Sequence, residues 1–289
     1  FLRPKITKNI ENNLDYSYSR EYSKSQKGIS AMLRIRNEEK NIKNVLLGII
    51  DVFDEIILVD NNSIDNTLKI VNNLKDNEEK FLKKIKIYNY PFEIAKCGVE
   101  NFKTDSKSLH SLAYYYNYSL SKCNYTHVMK WDGDMLLPLF LKNNFKSYLS
   151  VLMKNRKPIV GRPIGLTVYK GLDNELYYRE DSHEKEIRIF NNTVENYFVK
   201  DVLWERLQND LESDYIESSD NIFIEFKDVS QNEFSHWEEG YLGMGMRKRR
   251  EIRDYKFILD KTSNIDDFTS SIIKSEGFNT ISKEEFFKY

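Results

Sequence analysis

The strongest constraint on this chain is a pattern used three times, a short apolar run that stops abruptly at polar residues. Ile29-Ser30-Ala31-Met32-Leu33-Arg34-Ile35 gives way to Arg36-Asn37-Glu38-Glu39. Glu55-Ile56-Ile57-Leu58-Val59-Asp60 breaks into Asn61-Asn62-Ser63-Ile64-Asp65, and His127-Val128-Met129-Lys130-Trp131 runs into Asp132-Gly133-Asp134. Such runs are those of strands buried on both faces. Apolar residues at helical spacing separate them: Ile42, Val45, Leu46, Ile49 and Ile50 after the first run, Leu68, Val71 and Leu74 after the second. Asn37 or Asn41 is placed to cap the first helix, with acidic residues in its first turn. A further strand is expected at Ile85 to Tyr90, ended by Pro91, and a helix at Ser108 to Leu120. This βαβα rhythm predicts an α/β fold with a mostly parallel central sheet flanked by helices, because right-handed crossovers cover both faces. Ligands of such sheets sit beyond the carboxyl ends of the strands, so the three polar strand ends should converge on one crevice.

Outside this region the pattern changes. Residues 1–27 are polar, rich in Asn, Ser, Lys and Tyr, and lack a sustained period; an irregular leader packing through its tyrosines is expected. After residue 137, strand-like pieces at Ile159 to Val168, Glu186 to Phe190 and Ile222 to Phe226 alternate with a short helix expected at Val202 to Leu211. No linker-like stretch intervenes, so residues 28–289 read as one domain, with 28–137 as its first half and 138–289 as a smaller mixed α+β half ending in helices.

Charge and cysteine usage narrow the function classes. Lys and Arg number 44 against 45 Asp and Glu among 289 residues, so there is no global positive field for nucleic acid, which is not an expected partner. The longest apolar runs, such as Val45 to Ile50, fall well short of the roughly 18 residues a membrane span needs. Cys97 and Cys123 form neither a CxxC pair nor a zinc-spaced cluster; two buried thiols in a reducing, cytoplasmic setting are expected.

Asp132-Gly133-Asp134 sets two hard oxygen ligands on an apolar support, which suits Mn2+ or Mg2+ bridging a diphosphate. About one such D-x-D arises by chance in a chain of this Asp content, so order and context must carry the reading. Those are supplied by three segments: Arg36-Asn37-Glu38-Glu39; Phe53 to Thr67 (FDEIILVDNNSIDNT); and Lys130-Trp131-Asp132-Gly133-Asp134. Together they resemble glycosyltransferase family 2, strongly over about residues 29–75 and 110–137.

The resemblance implies a GT-A fold and a metal-dependent, inverting transfer of a sugar from a nucleotide-diphosphate donor to a glycan, glycolipid or glycoprotein hydroxyl, as in polysaccharide biosynthesis. It makes 28–137 the nucleotide- and metal-binding half and 138–289 the acceptor side. Asp60 would bind the nucleotide base, Asp132 would lie near ribose and metal, and Asp134 would ligate the metal. Arg34, Arg36, Asn37, Glu38, Asn62, Asp65, Asn117 and Lys130 complete the expected donor site. Arg34 and Asn61 depart from the family pattern, which more often has Pro near the first position and Asp at the second. Further along, Ile187-Arg188-Ile189-Phe190-Asn191, Leu203-Trp204-Glu205 and His236-Trp237-Glu238-Glu239-Gly240-Tyr241 resemble segments of one branch of the family. They imply His236 as third metal ligand and Glu205 as general base, with Glu238 and Glu239 as rivals.

Each residue also has a plainer reading. Glu38 and Glu39 suit a helix start, Glu205 a solvated helix face, and Tyr114-Tyr115-Tyr116 helix packing. The basic run Arg247-Lys248-Arg249-Arg250 reads as a solvated face, or as an arm that meets diphosphate or leans on anionic lipid at a membrane surface. Two other functions remain open: a nucleotidyltransferase, which would want a Gly-rich loop where Leu33 to Asn37 has no Gly, and a non-catalytic glycan-binding module.

Overall fold

The structure, a computed structural model, describes residues 6–21, 24, 26–231, 234, 244–263 and 269–287. The first half runs β1 (Ile6–Thr7), β2 (Tyr18–Ser19), β3 (Gln26–Ile35), α1 (Ile42–Ile49), β4 (Glu55–Asp60), α2 (Thr67–Asn77), α3 (Glu79–Lys84), β5 (Ile85–Asn89), α4 (Val99–Lys103), α5 (Leu112–Ser121), β6 (Tyr125–Asp132) and β7 (Met135–Leu136). The second half runs α6 (Leu139–Lys154), β8 (Ile159–Lys170), β9 (Leu176–Lys185), β10 (Ile189–Asn191), β11 (Tyr197–Lys200), β12 (Glu205–Gln208), β13 (Asp214–Asp228), α7 (Met246–Ser263), α8 (Thr269–Ser275), β14 (Asn279–Ile281) and α9 (Lys283–Phe286).

The α/β expectation holds. One sheet of order β14-β9-β8-β10-β6-β3-β4-β5 passes through both halves. Its β6-β3-β4-β5 part is parallel, as the three apolar runs require. Beyond β6 the sheet turns antiparallel through β10, β8 and β9, while β13 joins β8 in parallel. Alternation along the central strands divides two cores: Ile56 and Leu58 pack with the α1 residues Ile42, Val45, Leu46 and Ile49, whereas Ile57 and Val59 pack with Tyr115, Tyr118 and Leu120 of α5. Each such aliphatic side chain contributes about 1.5–3 kcal/mol by leaving water.

Several expectations are corrected. Asn41, not Asn37, occupies the cap position of α1, and Glu38 and Glu39 precede the helix instead of forming its first turn. The leader is not irregular throughout, since β1 pairs with β2 and ordered strand begins at Gln26. Its tyrosines do pack: Tyr16 meets Tyr90 and Phe92 edge-on, and Tyr18 meets Tyr114. Glu186 to Phe190 is not one strand; β9 ends at Lys185 and residues 186–188 cross to β10. Val202 to Leu211 is no helix but a turn and the second strand of the β11–β12 hairpin. Leu203 and Leu207 are buried there, whereas Val202 and Leu211 stand in solvent. Both cysteines are free, Cys123 buried and Cys97 half-buried. Among the described residues no helix is long and apolar enough to cross a membrane.

Candidate active site

The loops after β3 and β4 hold each other through side chain to main chain bonds. Asn37 and Asn62 adopt left-handed backbone, at φ 57° and 54°, a conformation that Asn tolerates better than most residues. The Asn37 amide oxygen accepts from the Ile64 N–H at 2.8 Å, and the Glu38 N–H donates to Thr67 Oγ1 at 2.7 Å. Asp65 accepts from the N–H groups of Glu39 and Thr67; against the opposing effect of burial, these bonds and the Thr67 hydroxyl hold its carboxyl below the usual range. Asp65 therefore braces the start of α2. Among the described residues Arg36 reaches the exposed Glu93, at 3.3 Å.

Asp60, the last residue of β4, is buried; its Oδ2 accepts from the Ser63 N–H at 3.2 Å, while its Oδ1 has no hydrogen-bond partner among the described residues. A buried carboxylate oxygen in that state costs free energy unless a ligand donor meets it. Asn61 beside it donates to the carbonyls of Tyr90 and Phe92 at 2.8 and 2.6 Å. An Asp there could not make those two bonds, which gives the departure from the family pattern a physical reason.

The D-x-D turn follows β6. A Cβ on Gly133 would lie 2.6 Å from the Glu38 carboxyl carbon, so glycine lets this turn close against the first loop. Asp132 accepts from two buried guanidinium groups, Arg34 at 2.7 Å and Arg188 at 2.6 Å. Burial alone would raise its pKa, but Lys130, Arg188 and Arg34 hold it far below the usual carboxylate range. Asp134 pairs with the buried Lys227 at 2.6 Å. Burial nevertheless raises its pKa, with Glu225 and Asp132 adding to the effect.

These carboxylates are hard-oxygen donors of the kind Mn2+ or Mg2+ takes. Asp134 fits such a cation better than Asp132, each of whose oxygens is taken by a guanidinium. Among the described residues no three His, Cys, Asp or Glu side chains are grouped to hold a metal ion. His236, Glu238 and Glu239 lie outside the described residues.

Beside the D-x-D turn, Asp132, Glu186, Arg188, Trp204 and Glu205 line a cavity of about 560 Å³. Alternation along β12 puts Glu205 on the side of the buried Leu207, not on a solvated helix face. Lys130 lies between two carboxylates, 2.5 Å from Glu186 and 3.9 Å from Glu205. Their environments push them apart: burial raises Glu205 despite Lys130 and Arg34, whereas Lys130 and Arg188 overcome burial and lower Glu186. Asn117, expected at the donor, instead clamps β11 by donating to the Phe198 carbonyl at 2.7 Å and accepting from its N–H at 2.9 Å. The basic run divides. Arg247 and Lys248 line the cavity and pair with Glu184 and Glu251, and Arg250 pairs with Asp181.

Sequence reasoning missed Arg188 as an individual residue, together with Glu186 and Lys227. For Arg188 the signal was present, a charge inside the apolar run Ile187 to Phe190.

Residues 30–92, which contribute the first two of the three strand ends, match the family model for glycosyl transferase family 2. Over that segment the chain is similar to glycosyl transferase family 2. The segment spans β3 to β5 with the loops that follow β3 and β4. No curated protein matches the chain. Among solved structures it is similar to S. aureus TarS 1–349, at 14% identity and TM-score 0.43, covering 72% of this chain and 62% of that one. The same protein in complex with UDP-GlcNAc is similar at 13% identity and TM-score 0.43, over 86% and 70% of the two chains. Glucosyl-3-phosphoglycerate synthase from Mycobacterium tuberculosis, in complex with Mn2+ and UDP-glucose, is similar at 18% identity and TM-score 0.31, over 50% and 44%.

Proposed function

We propose that this protein is a glycosyltransferase that moves a sugar from a nucleotide-diphosphate donor to a hydroxyl of a glycan, glycolipid or glycoprotein, with inversion. The observation that carries the proposal is the unpartnered buried oxygen of Asp60 at the end of β4, in the same crevice wall as the Arg34–Asp132 pair joining β3 and β6. The Asp60 oxygen receives an N–H of the nucleotide base. Arg188, Arg247 and Lys248 offset charge on the diphosphate. Asp134 is the residue to hold Mn2+ or Mg2+, and the bound cation supplies neutralisation of the leaving diphosphate.

Glu205 takes the proton of the acceptor hydroxyl. Its raised pKa brings it closer to working pH, the match a general base needs. As the proton moves to the carboxylate, the hydroxyl oxygen bonds to the anomeric carbon, and the bond from that carbon to the diphosphate oxygen breaks with its electron pair on the diphosphate. One displacement on the face opposite the leaving group inverts the centre and requires no enzymic nucleophile.

The test is release of nucleoside diphosphate from a panel of UDP-, GDP- and dTDP-sugars in the presence of simple glycoside acceptors. Release by the native chain and a fall of about 10²-fold or more in Glu205→Gln support the reading. Tight donor binding without release on any acceptor would favour a glycan-binding module.

A further inference from the structure

The two carboxylates of the D-x-D turn are both held by protein cations, but unequally. Each oxygen of Asp132 meets its own guanidinium. Asp134 pairs with Lys227, and that ammonium is shared: its Nζ lies 2.6 Å from Asp134 Oδ2, 3.0 Å from Glu225 Oε1 and 3.8 Å from Glu251 Oε1. Main chain sets the arrangement. β13 pairs with β7 so that Glu225 lies opposite Met135, and the Phe226 N–H donates to the Asp134 carbonyl at 2.8 Å. Glu225 and Lys227 are two residues apart on β13 and therefore share one face of the strand. Glu251 arrives from α7, where Lys248 holds both its oxygens at 3.1 Å. Lys227 is buried, whereas Asp134 keeps 22% of its side chain exposed, against 10% for Glu225 and 5% for Glu251. Of the three carboxylates around the ammonium, Asp134 is thus the one most open to an arriving ligand. Beside it the Glu225 Oε2 is buried with no hydrogen-bond partner among the described residues.

We propose that Lys227 is a positioning residue, a built-in counter-ion that holds the Asp134 carboxylate and cedes it to Mn2+ or Mg2+ while keeping Glu225 and Glu251. The inference rests on the reading of Asp134 as the residue that holds the cation. An ammonium 2.6 Å from Asp134 Oδ2 and a divalent cation on the same oxygen would repel one another strongly, so each excludes the other from that oxygen. A buried ammonium stripped of every partner is costly, and a carboxylate left alone is equally so. Lys227 escapes that cost because Glu225 and Glu251 remain beside it, and the open Glu225 Oε2 offers a further acceptor as it shifts. Asp132 has no such freedom, since Arg34 and Arg188 take one oxygen each. Exchange of a protein cation for a metal cation is therefore confined to the second carboxylate of the turn. Until it occurs, Lys227 keeps Asp134 neutralised and fixed in place.

The test is Mn2+ affinity without nucleotide, read from the electron paramagnetic resonance signal of free Mn2+, for the native chain, Lys227→Met and Lys248→Met. Lys227→Met should bind Mn2+ about tenfold or more tightly than the native chain, because Asp134 no longer has to release an ammonium. Lys248→Met removes a cation that lines the same cavity but pairs with Glu251, and should change the affinity less than about threefold. Equal Mn2+ affinity in the native chain and Lys227→Met, no Mn2+ binding by either, or an equal gain in Lys248→Met overturns the proposal. If Lys227→Met does not fold, Lys227→Gln gives the same reading, since its amide can still donate to Asp134 without carrying charge. Asp134→Ala, alone and combined with Lys227→Met, separates the two levels. A gain that survives in the double variant means that the cation sits elsewhere, and the reading of Asp134 fails. Mn2+ binding weakened by Asp134→Ala beside an unchanged Lys227→Met means that only the exchange fails.

Discussion

The loops after β3 and β4 and the strands on the other side of the D-x-D turn are held by different physics. After β3 and β4, short polar side chains fasten neighbouring loops: Asn37, Asp65 and Asn61 each bond main-chain groups of the adjoining strand-end segment. At the D-x-D turn and beyond it, long charged side chains from separate strands make a buried network in which Arg188 meets Asp132, Glu184 and Glu186, and Lys227 meets Asp134, Glu225 and Glu251. Loop bonds of the first kind depend on local sequence and tolerate water. Buried charges of the second kind depend on every partner being present, because removing one strands the others in low dielectric.

The largest effect should come from breaking the second kind. Arg188→Met leaves three carboxylates short of a partner, and a destabilisation on the order of 3–5 kcal/mol is expected in urea unfolding. A change below about 1 kcal/mol would mean the network contributes little. In the loop after β4, Asn61→Ala orphans the Tyr90 and Phe92 carbonyls and should cost about 1–3 kcal/mol by the same measurement.

Acid should distinguish the two carboxylates of the D-x-D turn. The folded-state pKa of Asp132 is depressed, so its contribution is present above the unfolded value near 4 and fades as pH falls from there. The stability gap between the native chain and Asp132→Asn should therefore narrow below about pH 4. Asp134 is raised instead, so its contribution is full below the unfolded value and is lost as pH rises through the folded one. Asp134→Asn should lose less stability at neutral pH than Asp132→Asn in thermal melts across pH, because Lys227 keeps Glu225 and Glu251 as partners. The smallest effect is reserved for Arg36→Ala, whose exposed pair with Glu93 is worth about 0–1 kcal/mol; unchanged melting is expected.

The same contrast explains what could be read from the sequence. Asp60, Asp132 and Arg34 lie at or next to the ends of apolar runs, so a strand assignment alone put them near one crevice. Arg188, Glu186 and Lys227 acquire meaning only when β10 and β13 pair with distant strands, which no local period announces. The β12 error has a similar origin. Leu203, Leu207 and Leu211 recur every four residues, a spacing that a helix and an alternating strand both satisfy. Pairing with β11, itself clamped by Asn117, decides for the strand and turns Glu205 inward.

The central claim is that the three strand ends form a nucleotide-diphosphate site. It is tested most directly by calorimetric titration of UDP, GDP, dTDP and CMP, with and without Mn2+, on the native chain, Asp60→Ala and Asp134→Ala. The account predicts that one nucleotide binds preferentially, that Asp60→Ala abolishes the preference, and that Asp134→Ala removes the metal dependence. Absence of binding by the native chain under every condition would contradict it.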